Sequence, residues 1–358
     1  MKFSDVLEIK NGRNQKQVEN PNGKYPIYGS GGIMGYADDY ICEPYTVIIG
    51  RKGTINNPIY VETPFWNVDT AFGLQAKKDI LHPKYLYYFC VHFDFEALNT
   101  TVTIPSLTKA NLLNIDIPLP PLAEQTEIVE TLTSVDELIK IKKQQLELFD
   151  ELTKSRFIEL FGDQATNPFS FPVCKLSDVS DIYLGLTHTP TYVEQGRPFL
   201  SVRDISSGVI DFSNCHYITE EEFNSLPNGA RPKVGDLLFC RVGTIGKPVI
   251  IPENTDEFGT FVSVGYLRKK SMVNNHYLKS WMENDYFMRQ VYDNVAGVAQ
   301  INLNTGWLKN FRILLPPYEL QEQFAAFVEQ TDKSKLAVQQ SIAELEELKK
   351  SLMQKYFG

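Results

Sequence analysis

Apolar residues return in alternating steps of four and three over two long stretches of the chain. The first runs Ile128, Leu132, Val135, Ile139, Lys142, Leu146, Phe149, Thr153, Arg156, Leu160; the second runs Phe324, Val328, Thr331, Lys335, Val338, Ile342, Leu345, Lys349, Leu352, Tyr356. This is the inward seam of a heptad helix, broken in places by polar residues and flanked by Glu, Lys and Gln. Each stretch is expected to be one long amphipathic helix seeking a partner, and the two are natural partners for each other. Double prolines (Pro120, Pro121; Pro316, Pro317) discourage extension backwards, and terminal glycines (Gly162; Gly358) stop each helix. Roughly 38 helical residues span about 57 Å.

The two stretches are copies of one element. Leu119 and Leu315 open them with Leu-Pro-Pro, Gln125 and Gln321 stand four residues past the second proline, and Phe161-Gly162 and Phe357-Gly358 close them, always 196 positions apart. A constant offset admits no insertion or deletion, which suits a rod of critical length. The rest of the chain has a different rhythm. Short β-branched runs such as Tyr45–Ile49 and Asn57–Val61 are cut by Gly-rich turns, and Pro83–Phe95 reads as a short helix. Later anchors repeat this plan. Lys2–Gly12 matches Lys175–Gly185; Val47–Pro58 matches Leu237–Pro248, sharing Arg51/Arg241, Gly53/Gly243 and Thr54/Thr244; Phe72–Lys78 matches Val264–Lys270. Between anchors the offset drifts from 173 to 196, so the intervening loops differ. The expected fold class is α+β, with two pseudo-repeated mixed α/β domains separated by two long helices. The expected boundaries are 1–118, 119–162, 163–314 and 315–358.

Composition narrows the function. With 358 residues, 43% of them hydrophobic, there is material for two ordinary cores. No apolar run of about 18 residues exists and the N-terminus lacks the apolar centre of a signal peptide, so a cytoplasmic protein without membrane contact is expected. The five cysteines are scattered without a Cys-x-x-Cys pair, which argues against disulfides and a zinc site. The net charge of −9 sits mostly on the helices: residues 123–162 carry 5 basic and 9 acidic side chains, against 11 and 12 in residues 1–122. The near-neutral domains leave room for a basic face. Three enzyme-like motifs fail on chemistry. Pro316-Pro317-Tyr318 follows Leu315 where an amino-methyltransferase needs Asn or Asp. Ser30-Gly31-Gly32 lacks the strand and helix of a nucleotide loop, and Glu347-Leu348-Lys349 lies inside the heptad helix.

The alternation of variable domain and constant helix resembles the specificity (S) subunit of type I restriction-modification systems. The resemblance spans the chain and rests on Tyr28–Tyr36, on Gly235–Gly246 with its Arg-x-Gly-Thr-Ile-Gly, and above all on Pro118–Gln125, Pro-Leu-Pro-Pro-Leu-x-Glu-Gln. It implies two target recognition domains, each reading half of a bipartite duplex DNA sequence, and two helices packed antiparallel as a coiled-coil spacer. It also implies docking of two modification subunits, which bind S-adenosylmethionine and methylate adenine N6, together with restriction subunits. The S subunit itself carries no catalytic site, metal or cofactor.

Reading base edges in the major groove requires Arg or Lys toward guanine and Asn or Gln toward adenine, with Ser and Thr adaptable. Candidate contacts in the first domain are Asn14, Gln15, Lys16, Gln17, Ser30, Arg51, Lys52 and Thr54. In the second they are Thr187, His188, Thr189, Arg203, Arg241, Thr244, Gln300 and Asn302. Arg51 and Arg241, shared by domains that read different sequences, are expected on phosphate, the part of DNA that does not vary. Two other readings stand beside this one. A stand-alone methyltransferase would show a cofactor motif, and a structural coiled-coil adaptor binding protein would show no salt-sensitive affinity for duplex DNA.

Overall fold

The computed structural model describes residues 1–98, 106–295 and 301–358. The chain divides into two compact units, Met1–Gln145 with Val338–Gly358, and Leu146–Ala337. The long helices Leu122–Phe161 and Tyr318–Phe357 each contribute one end to each unit.

In the first unit a four-stranded antiparallel sheet has the spatial order Leu7–Asn11, Ala71–Ala76, Thr46–Gly50, Ile59–Val61. A smaller sheet holds Gly32–Ala37, Tyr25–Gly29 and Trp66–Asn67. The strand Thr46–Gly50 is buried at every position because it is covered on both faces. Val47 and Ile49 point to a core shared with Tyr85, Phe89 and the helix residues Ile128 and Leu132, whereas Ile48 points to Tyr28 of the smaller sheet and to Phe65 just before its strand Trp66–Asn67. Met353 and Phe357, from the far end of the chain, close the first of these cores; the Phe357 ring meets Tyr85 at 5.0 Å and Phe89 at 6.0 Å.

The second unit has the same wiring. Its sheets run Gly246–Ile250, Leu237–Cys240, Val264–Lys269, Ser180–Leu184 and His216–Ile218, Arg197–Leu200, Gly259–Thr260. Register repeats with order. Leu7↔Ala76 becomes Ser180↔Lys269, Val47↔Leu74 becomes Leu237↔Leu267, and Ile27↔Trp66 becomes Phe199↔Gly259. The pairing sets Leu74 against Leu267 and Ala76 against Lys269, one residue off the match of Phe72–Lys78 with Val264–Lys270 read from the sequence, because strand pairing and not the shared glycine fixes the register. Leu237 and Phe239 face Tyr277, Trp281, Phe157, Phe161 and Phe324; Leu238 and Cys240 face Leu200, Phe258 and Tyr266. All five cysteines are free, and among the described residues no helix is long and apolar enough to cross a membrane.

Every predicted seam position is turned away from solvent, from Ile128 to Leu160 and from Phe324 to Tyr356. Among the polar breaks Lys349 and Lys335 are ion-paired across the helices, while Thr153 and Thr331 donate to the carbonyls of Phe149 and Phe327 one turn back. In the first unit Lys349 meets Asp136 at 2.6 Å and Lys143 meets Glu346 at 2.9 Å, an order that makes the helices antiparallel there. In the second unit Lys335 meets Asp150 at 2.6 Å, and Phe157 meets Phe324 edge to face, again antiparallel. Burial beyond the seam at Val129, Phe157, Phe161, Ala325, Met353 and Phe357 marks where helix ends seat on the domains.

The repeated glutamine is the clasp between helix and domain. Gln125 is fully buried; its Oε1 accepts from the His82 amide at 2.8 Å and its Nε2 donates to Ile80 O and Pro120 O. Gln321 does the same with the Asn274 amide at 2.8 Å and with Pro316 O. His82 and Asn274 are themselves the N-caps of Pro83–His92 and Asn275–Glu283, so one side chain joins the helix entry to the start of the domain helix.

Candidate nucleic-acid interface

At one end of each large sheet the connecting loops are tied together by backbone hydrogen bonds. In the first unit Arg13 N donates to Asn67 O, Val68 N to Tyr28 O, Arg51 N to Thr70 O and Leu107 N to Arg51 O. The loops after Asn11, Gly29, Gly50 and Asn67 therefore share one end with Ser106–Thr108. The second unit repeats the ties with Leu186 N to Thr260 O, Arg241 N to Ser263 O and Leu303 N to Arg241 O. Two glycine pairs explain why the anchors recur. A Cβ on Gly12 would fall 1.7 Å from Val68 O and one on Gly185 2.3 Å from Phe261 O, so only glycine lets the loops cross. Gly53 and Gly243 have φ of 76° and 69°, the left-handed turn that follows each arginine.

The expected first-domain residues gather at this end. Asn14, Lys16 and Gln17 are exposed and Gln15 half-buried, with Asn14 Oδ1 accepting from the Lys16 amide at 3.0 Å. Ser30 lies against Gly50, where an added Cβ would sit 3.0 Å from its own. Arg51, Lys52 and Thr54 are exposed, the Arg51 guanidinium lying 5.8 Å from the Phe72 ring centre. Among the described residues none of Arg51, Lys52 and Lys16 has an ion-pair partner, nor does Arg13, which sequence reasoning passed over although it follows Gly12 directly. Asp69 is the acidic residue in the neighbouring turn.

The second domain presents a less basic end. Thr187, His188, Thr189 and Thr244 are exposed. Arg203 is exposed but leans on Asp204 at 3.4 Å and donates to Asn214 O. Asn302 is exposed, and Gln300 lies outside the described residues. Arg241 does not project as Arg51 does. It is 6% exposed, and its guanidinium donates to Leu303 O at 2.7 Å, to Val262 O and to Asn302 Oδ1 at 3.1 Å, while burial lowers its pKa. The same backbone position thus carries an exposed cation in one domain and an internal strut in the other. The bridges beside the two arginines differ, Asn302 standing opposite Val242 and Ser106 opposite Lys52, a tertiary fact that the shared Arg-x-Gly-Thr does not encode.

No cluster of His, Cys, Asp and Glu able to hold a metal occurs among the described residues. The family described as "Type I restriction modification DNA specificity domain" matches residues 1–148 and again 172–347. The chain is 25% identical over 331 residues to the specificity subunit of the type I restriction enzyme MjaVIII of Methanocaldococcus jannaschii, covering 86% of this chain and 74% of that one. It is 26% identical over 341 residues to a putative type I restriction enzyme specificity subunit of Haemophilus influenzae, covering 89% and 85%. The crystal structure of the S subunit of a type I restriction-modification system from M. genitalium aligns over 100% of this chain and 95% of that one, with a TM-score of 0.60 at 17% identity.

Proposed function

The chain belongs to the type I restriction-modification DNA specificity family, and from that premise we propose that it reads a bipartite duplex target, one half through each recognition domain. The observation that carries this reading is the loop end built twice on one frame: strand order and register repeat, while the loops between Gly29 and Gly32 and between Leu200 and His216 differ in length and chemistry. A constant frame with variable loops is what two independent readers of different half-sites require. On this reading the division into domains 1–118 and 163–314 with spacer helices 119–162 and 315–358 is a division of labour.

Phosphate contact falls to Arg51, Lys52, Lys16 and Arg13 in the first domain and to Arg203 in the second, whereas Arg241 positions its loop from inside. Asn14, Gln15, Gln17, Ser30 and Thr54, with Thr187, His188, Thr189, Thr244, Gln300 and Asn302, are the base-edge candidates. The long helices dock two adenine-N6 methyltransferase subunits. Exposed Leu138 and Ile141 in the first unit, and Leu148, Leu152 and Leu336 in the second, are the apolar side chains available for it. S-adenosylmethionine belongs to those partners, restriction subunits join them, and the assembly works in the cytoplasm.

Methylation mapping of a host with and without this gene tests the reading. The expected outcome is loss of one two-part adenine motif. Exchanging residues 172–314 for the corresponding segment of another specificity subunit should then alter one half only. A change in both halves would refute independent readout, and salt-insensitive binding to duplex DNA would favour the protein-binding adaptor instead.

A further inference from the structure

The hairpin between Tyr25–Gly29 and Gly32–Ala37 carries an irregularity with a direction. Ile27 pairs with Gly35 but Tyr28 pairs with Ile33, so Met34 is an extra residue that faces no partner. A bulge of this kind re-aims side chains, and here two apolar neighbours on one strand, Ile33 and Met34, are 56% and 63% exposed where alternation would bury one of them. Met34 is nevertheless seated. Its Sδ lies over Gly29, 2.6 Å from where a Cβ on that glycine would stand, and Val68 borders the same spot. Gly29, Ser30 and Val68 belong to the loop end that also carries Arg51 and Lys52, through Val68 N to Tyr28 O and through the packing of Ser30 on Gly50. The corresponding pairing in the second domain, Arg197–Leu200 with His216–Ile218, is regular. Its strand Arg197–Leu200 runs into the loop Ser201–Cys215, folded on itself by Ser201 N and Oγ donating to Asp204 Oδ2 and by Asp211 N donating to Asp204 O.

An apolar pair on the same loop end as the exposed cations Arg51 and Lys52 fits one feature of a duplex. Cations take the phosphates, and the apolar group in the major groove is the pyrimidine C5-methyl, which hydrocarbon side chains recognise. We propose that Ile33 and Met34 are specificity-determining residues of the first domain and read a thymine methyl in its half-site, with Gly29 positioning Met34. This rests on the reading of the chain as a two-half DNA reader.

The test uses the full chain assembled with the modification subunits of its own system. A duplex is first selected from a random pool, and each thymine is then replaced in turn by deoxyuridine, which removes only the methyl. The wild-type complex is expected to lose about three- to fivefold in affinity at one or two thymines, all in one half-site, as the burial of a single methyl implies. Ile33→Ser and Met34→Ser should bind the thymine duplex more weakly and be indifferent to the replacement at those positions, with an unchanged melting temperature because both residues are exposed. Gly29→Ala, which displaces the Met34 side chain without altering it, should lose the same discrimination. The inference falls if the wild type is indifferent to every methyl in that half, if the serine variants lose as much as the wild type, or if the sensitive positions change when residues 172–314 are exchanged. If no duplex is enriched at all, the two-half reading falls and takes the inference with it.

Discussion

With the Arg241 guanidinium 6% exposed and committed to Leu303 O, Val262 O and Asn302 Oδ1, truncation to alanine strands three acceptors inside the fold. Arg241→Ala should therefore cost about 2–3 kcal/mol in a denaturant titration. Arg51→Ala removes an exposed side chain and should leave stability unchanged. It should instead weaken binding to all duplexes alike and flatten the slope of log K against log salt by roughly one unit. A second residue-scale contrast lies at the domain helices. His82 caps its helix by accepting from the Lys84 amide through Nδ1, and burial, with the Lys84 charge adding to it, lowers its pKa. A folded value below the unfolded one, about 6.5, means that the stability is fully present above that pH and is lost as pH falls through the folded pKa. His82→Asn installs the residue that the second domain uses, Asn274, which keeps the cap without titrating. Thermal melts between pH 7.5 and 5 should show a shallower loss in the variant. The remainder belongs to His276, whose burial also lowers its pKa and whose Nε2 faces Glu329 at 3.7 Å.

At the scale of elements, the long helices were the most legible part of the chain. A heptad seam is a local property, and every position assigned to it from spacing alone is buried or half-buried, Lys142, Thr153 and Arg156 among the half-buried. The invariant offset of Gln125 and Gln321 was also visible, but not its purpose, because the partners are the backbone of residues some forty to fifty positions away. Gln321→Leu should leave the Asn274 amide and the Pro316 carbonyl unpaired in a site that is 0% exposed, costing about 2–4 kcal/mol by denaturant titration. Limited proteolysis should cut first near residues 272–275. The loops were the least legible. Which of Asn14, Ser30 or Thr187 reaches outward depends on crossings such as Gly12 over Val68, and a bulge like that at Met34 has no local sequence mark beyond the glycines around it. The burial of Arg241 was missed for the same reason: equal motifs met unequal neighbours.

At the scale of the molecule, the proposed spacer role makes a length prediction. Because Lys143 meets Glu346 in antiparallel order, lengthening the pair without breaking its seam takes one heptad in each helix, between Lys143 and Gln144 and between Leu345 and Glu346. Seven residues add about 10 Å, the rise of about three base pairs. Methylation mapping should find the gap between half-sites widened by that much and both halves intact; an unchanged gap would rule out the spacer role. The assignment of Val338–Gly358 to the same unit as Met1–Gln145 also has a consequence for synthesis on the ribosome. The second unit is a single continuous stretch, Leu146–Ala337, and can close as soon as it has emerged. The first unit, although made first, holds an open core until Met353 and Phe357 arrive beside Tyr85 and Phe89. A premature stop codon a few residues before Phe357 would thus injure the domain encoded far upstream, and the nascent first unit keeps its apolar core open the longer of the two.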